Sequence, residues 1–144
     1  MNALRPARIE DAAEIARLAG ELGYPVQMAA MEARLRAILP LPRHHVTLAQ
    51  GEGGGLLGWI AVERRLTLES GERVEIAGLV VDAAARGTGI GRALVTDAER
   101  WALAQGFEAI GVRSNVMREG SHPFYESLGY ARVKTQHAYG KRLK

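Results

Sequence analysis

Apolar positions recur every three to four residues over two stretches of the N-terminal third. Ala12, Ile15, Leu18, Ala19 and Leu22 fall on one face of a helix. Glu10 or Asp11 can cap it, and Gly23-Tyr24-Pro25 stops it. A second helix is predicted over about residues 27–39, with Met28, Met31, Leu35 and Ile38/Leu39 as packing positions and Pro40 beyond its end. The pattern then changes to short apolar runs broken by glycine: residues 45–50 and 56–66 read as a hairpin around Gly51–Gly55, and residues 73–81 pair next. A long helix is predicted over 89–105, with Ile90, Leu94, Ala98 and Trp101 on one face. Further predicted elements are a strand over 109–114, a short helix over 121–128 and closing strands over 131–133 and 136–142. A first strand over 2–5 completes the set. The fold class is α/β, with a central mixed, mostly antiparallel sheet flanked by helices.

At 144 residues, with 47% hydrophobic and 24% charged residues, the chain reads as one globular domain, 1–144. No apolar run reaches the 18 or more residues of a membrane span. No signal-peptide pattern opens the chain, and no cysteine occurs. These features predict a cytoplasmic protein without disulfides or thiolate metal sites. The net charge is +3 and the pI about 9.6, with no clustered basic stripe, so nucleic-acid binding is not expected. Glu10, Asp11, Glu14, Glu21 and Glu32 make the N-terminal third acidic, which leans toward a cationic small molecule. His44-His45 stand at a strand start and read as surface residues. His122 has no second ligand at metal spacing, so no metal site is expected.

The densest chemistry lies between Val81 and Leu94. Gly87, Gly89 and Gly91 alternate where a strand passes into a helix, flanked by Arg86 and Arg92. Unpaired N–H groups at a helix start, together with the helix dipole, favour a phosphate there. A P-loop needs Lys-Ser or Lys-Thr after the last glycine, and Arg92-Ala93 follow Gly91. A dinucleotide fingerprint would need glycine at Arg92 or at Leu94. A strand-to-helix turn that uses glycine for geometry alone remains open.

Arg86-x-x-Gly89-x-Gly91 resembles the Q/R-x-x-G-x-G/A signature of the GNAT superfamily of N-acetyltransferases. Glu75–Val81 upstream resembles the fourth strand of that family. Downstream, Ser114-Asn115 and His122–Tyr130 resemble its end-of-strand asparagine and its F-Y-x-x-x-G-F/Y element.

The resemblance implies an α/β three-layer domain that uses acetyl-CoA as co-substrate. The cofactor residues it implies are Leu79, Val80, Val81, Arg86, Gly87, Thr88, Gly89, Ile90, Gly91, Arg92 and Asn115. It also implies Glu75 as general base, since some members place a glutamate eleven residues before the turn. Tyr125 would be the acid that protonates the departing thiolate. On a regular strand Glu75, Ala77, Leu79 and Val81 share one face, and Gly78 can accommodate a bulge. Glu75 could instead be a strand glutamate paired with Arg73 or Arg64, Tyr125 a core tyrosine, and Asn115 a turn residue.

Two positions depart from the family pattern. Ala83 stands where relatives often have proline, and Pro123 stands inside the Phe-Tyr element, where only a first helical turn tolerates it. The implied reaction moves an acetyl group directly to a primary amine of a small molecule or peptide, because no thiol exists to carry it. The alternative is a non-catalytic acyl-CoA-binding or regulatory domain on the same fold. A homodimer is a further expectation.

Overall fold

The computed structural model describes residues 3–113 and 121–144. The chain gathers into two compact units, Met1–Val112 and Arg113–Lys144.

The first unit is built on a five-stranded sheet in the order β1-β2-β3-β4-β5. Its strands are β1 (Ala3–Pro6), β2 (His44–Gln50), β3 (Leu56–Thr67), β4 (Gly71–Val81) and β5 (Gly111–Val112). The first three pairings are antiparallel and β4–β5 is parallel. The long connection that a parallel pair needs carries α3 (Ile90–Ala104); α1 (Ala12–Glu21) and α2 (Met28–Ile38) lie between β1 and β2.

Alternation along the strands sends side chains to two faces. One face carries Val46, Leu48, Trp59 and Val80, packed with Ile15, Leu18, Ala19, Met31 and Leu35 of α1 and α2. The other meets α3: a Cβ added at Gly58 would fall 3.1 Å from Leu94 and 3.4 Å from Ile90. Ile60, Val62, Leu94, Val95 and Ala98 are buried on that side. Two layers of helix thus enclose the mixed sheet, as the hydrophobic pattern predicts. Met28 departs from it: Met31 is buried and Met28 is exposed, because Met28 opens the helix before the apolar stripe begins.

A bulge interrupts the β3–β4 ladder. Ala61 pairs with Gly78 and Val62 with Ile76, so Ala77 is an extra residue on β4. The extra residue shifts the alternation by one position. Glu75, opposite Glu63, therefore lies on the face of Gly78 and Val80, while Leu79 and Val81, opposite Ile60 and Gly58, lie on the α3 face. The single shared face expected for Glu75, Ala77, Leu79 and Val81 does not form.

The second unit contains α4 (Ser121–Ser127), and Pro123 falls in its first turn. The closing strands expected over 131–133 and 136–142 do not form: residues 131–144 are not in strand conformation and pair with no strand among the described residues. A strand needs a partner and a face to bury. The large apolar residues here, Val133, Tyr139 and Leu143, are almost fully exposed.

Candidate active site

The glycine turn sits where β4 leads into α3. Gly87 and Gly89 have φ of +80° and +89°, in the left-handed region that a side chain would strain. Gly89 is the N-cap of α3, with no side-chain cap and no acidic residue in the first turn. The positive end of the helix therefore points at an exposed turn, and Arg86 and Arg92 on either side are exposed as well. Thr88 and Ile90 lie within the turn, with Ile90 buried beneath it, and Gly91 is already inside the helix. This chemistry suits a pyrophosphate.

Without a proline at Ala83, side-chain contacts hold this turn. Asp82 accepts a hydrogen bond from the Ala84 N–H at 3.0 Å and an ion pair from Arg17 at 3.2 Å. The Ala84 bond and the nearby guanidinium keep the Asp82 carboxyl below its usual range despite some desolvation. Arg17, on α1, also binds Glu14 and donates to the Leu56 carbonyl at 3.2 Å, while Glu14 accepts from the Leu56 N–H at 3.1 Å. Its pKa is raised, first by the Glu14 hydrogen bond. α1 is thereby clamped to the start of β3 and to the turn after β4. Nothing in the local pattern marks this contact, since Arg17 and Asp82 are 65 residues apart.

Among the described residues, β4 and β5 pair at Glu75↔Gly111 and Ile76↔Val112. Among the described residues, no strand lies against the β5 side of β4 from Ala77 to Val81. That edge carries Leu79, Val80 and Val81 and runs directly into the glycine turn. Val80 is in the core, while Leu79 and Val81 are half-buried.

Glu75 is 13% exposed and engages two guanidinium groups: Arg65 Nη1 at 3.0 Å on one oxygen and Arg73 Nη2 at 3.1 Å on the other. The second arginine is thus Arg65 and not Arg64, because Arg64 lies on the other face, over the Phe107 ring and bonded to Glu72. Arg65 Nε also stands 3.7 Å from Glu63.

The acidic residues of the N-terminal third are mostly taken up by arginines. Asp11 pairs with Arg5, Glu14 and Glu21 with Arg17, and Glu32 with Arg36. They do not form the open cationic-ligand surface that their number suggests.

His45, read as a surface residue, is half-buried, with 27% of its side chain exposed, and it is engaged on both ring face and edge. Its ring stacks on Trp101 with centroids 5.3 Å apart, and its Nε2 lies 3.0 Å from Asp97 Oδ2. Burial works against the Asp97 charge, but His45 and the Thr47 hydroxyl, donating at 2.6 Å, leave its pKa lowered.

In the second unit, Tyr125 sits on α4 in edge-to-face contact with Phe124 and Tyr130, at 5.1 and 5.7 Å. Asn115 lies outside the described residues. Glu75, Leu79–Val81 and Arg86–Arg92 are therefore gathered along one strand and the helix that follows it.

A mixed sheet with a parallel β4–β5 pair, whose fourth strand leads into a glycine-rich helix start, fits the acetyltransferase fold. The chain belongs to the acetyltransferase (GNAT) family, whose model matches residues 10–130. Among relatives, the N-acetylaspartate synthetase of Danio rerio is 31% identical over 80 residues, which are 56% of this chain and 27% of that protein's length. An aminoglycoside antibiotic 6'-N-acetyltransferase from Acinetobacter baumannii superposes with a TM-score of 0.87 at 16% identity, over 100% of both chains. AAC(6')-Iy in complex with the bisubstrate analogue CoA-S-monomethyl-acetylneamine gives 0.86 at 18% identity, over 99% of each. No helix among the described residues is long and apolar enough to cross a membrane.

Proposed function

We propose that this protein is an N-acetyltransferase that moves an acetyl group from acetyl-CoA directly to a primary amine of a small molecule or peptide. The observation that carries the reading is the α3 N-terminus, without a side-chain cap, behind the exposed Gly87–Gly89 turn, continuous with the β4 edge against which no strand lies among the described residues. Arg86, Thr88, Arg92 and the backbone of the turn would hold the pyrophosphate. The β4 edge, Leu79 to Val81, would receive the pantetheine arm and the thioester. An N–H aimed at the thioester oxygen stabilises the oxyanion that forms when the amine attacks. The amine nitrogen bonds to the carbonyl carbon, Glu75 or a water beside it takes the amine proton, and the carbon–sulfur bond breaks. Tyr125 gives its proton to the departing thiolate. With no cysteine in the chain, an acyl-cysteine intermediate has no place in this scheme.

One observation favours the second reading, a non-catalytic acyl-CoA-binding domain: both Glu75 oxygens are engaged by guanidinium groups. Two experiments separate the readings. Calorimetric titration with acetyl-CoA, with NAD and ATP alongside, tests the cofactor class; selective binding of acetyl-CoA supports it and heat with a nucleotide alone refutes it. Thiol release with a panel of amines then distinguishes an enzyme from a binder, with Glu75→Gln and Tyr125→Phe expected to slow turnover more than they weaken acetyl-CoA binding.

A further inference from the structure

The polar half of the α1/α2 face has an ordered charge pattern. Directly opposed residues on β3 and β4 are like with like: Glu63 faces Glu75, and Arg65 faces Arg73. Like charges placed directly opposite destabilise a sheet, and a ladder built for stability pairs unlike charges across the strands. Here the ion pairs run diagonally or along a strand, Arg65 to Glu75 and Arg73 to Glu75. The result is an acidic rung two residues from the Ala77 bulge and a basic rung two residues further out, about 7 Å apart at strand rise. Glu63, Arg65 and Arg73 keep 30%, 35% and 39% of their side chains exposed. The Nε of Arg73 is buried and has no hydrogen-bond partner among the described residues, an unmet donor beside the cluster.

We propose that this surface selects an acceptor that carries a carboxylate as well as the reacting amine, an amino acid or a close relative of one. The inference rests on the acetyltransferase reading, in which the acyl group lies along the β4 edge beyond Ile76. The acidic rung is the one nearer that edge and receives the amine; the basic rung, Arg65 and Arg73, receives the carboxylate. Guanidinium groups suit this task because they bind carboxylates through two parallel N–H bonds. Glu63, Glu75, Arg65 and Arg73 together balance to zero charge, with His44, its Nδ1 3.9 Å from Glu63, as the neighbouring titratable group, which matches a zwitterion better than a polycation. Binding also prepares the chemistry: a carboxylate that draws Arg73 or Arg65 toward itself releases a Glu75 oxygen to face the amine. The two arginines thus determine specificity and position Glu75.

The test is acetyl-CoA-dependent thiol release with matched acceptors, each amino acid of a panel against its primary amide and its decarboxylated amine, after acetyl-CoA binding has been measured directly. The expected kcat/KM favours the acid by roughly 10- to 100-fold, although the amide's less basic amine is more often deprotonated. Arg73→Met and Arg65→Met should bring the acid-to-amide ratio close to one, and Arg73→Lys should restore part of it; thermal melts of each variant report on folding. Equal use of acid and amide, faster turnover of plain polyamines, or a ratio unmoved in folded variants would overturn the proposal and leave the acetyltransferase reading intact. Failure to bind acetyl-CoA at all would remove both.

Discussion

Replacing Gly78 by alanine puts a carbon where the Trp59 ring already stands. On the existing backbone the new Cβ falls 2.9 Å from Cζ3 and 3.1 Å from Cη2 of Trp59, whereas ordinary contacts begin near 3.4 Å. The ring or β4 must therefore give by about half an ångström. The ring has little freedom to do so, because it packs against the core shared by α1, α2 and Val80. Gly78 does not have a positive φ, so the backbone accepts alanine and the whole effect is steric. Overpacking of this kind costs about 1–3 kcal/mol. At roughly 2.1 cal/mol/K per residue, unfolding this chain carries an entropy of about 0.3 kcal/mol/K, so Gly78→Ala should lower Tm by roughly 3–10 °C. Circular-dichroism melts measure this directly. Trp59→Phe removes both contacted carbons, and in that background Gly78→Ala should cost little more. A Gly78→Ala protein that melts within about 1 °C of the parent would refute the reasoning, as would an undiminished cost beside Trp59→Phe.

Gly89→Ala has open space around its Cβ, but its φ of +89° makes it lose about 1–2 kcal/mol to backbone strain. Gly20→Ala, inside α1 with equally open space, should gain about 0.5–1 kcal/mol, and urea midpoints will separate the two signs. Arg17→Met should raise KM for acetyl-CoA by on the order of threefold to tenfold with less effect on kcat, because it frees the turn held through Asp82; steady-state kinetics decide, and an unchanged KM would count against the clamp. Acid titration should show the lowered carboxyls. Asp11, held down first by its Arg5 hydrogen bond, and Asp97 both sit below their ordinary value of 3.8. The unfolded chain then binds more protons than the folded one, so their stabilisation is complete above about pH 5 and is lost as pH falls further. Asp11→Asn and Asp97→Asn should flatten the loss of urea stability below about pH 5 relative to the parent.

The glycine turn was legible because everything that makes it is local. Positive φ at Gly87 and Gly89 and the start of α3 are encoded within a few residues of each other. The helices and the long strands were legible for the same reason, since their periodicity repeats over ten residues or so. Orientation at Glu75 was not. One extra residue at Ala77 shifts the parity of β4, and alternation alone cannot reveal that shift. Its partner Arg65 depends on the β3–β4 register, and Arg17–Asp82 on packing between distant segments. The expected closing strands over 131–142 failed in the other direction: short apolar-containing runs resemble strands, yet these residues bury no face.

The clamp from Arg17 to Asp82 and Leu56 also bears on protein engineering. α1 forms part of the wall over one sheet face and simultaneously braces the turn that begins α3. It is therefore not a separable module: a chimera that imports another protein's first helix would also import, or delete, a brace on the turn after β4. Grafts that keep Glu14, Arg17 and Asp82 as one unit should leave the turn braced, whereas grafts that split the trio should loosen it and lower stability.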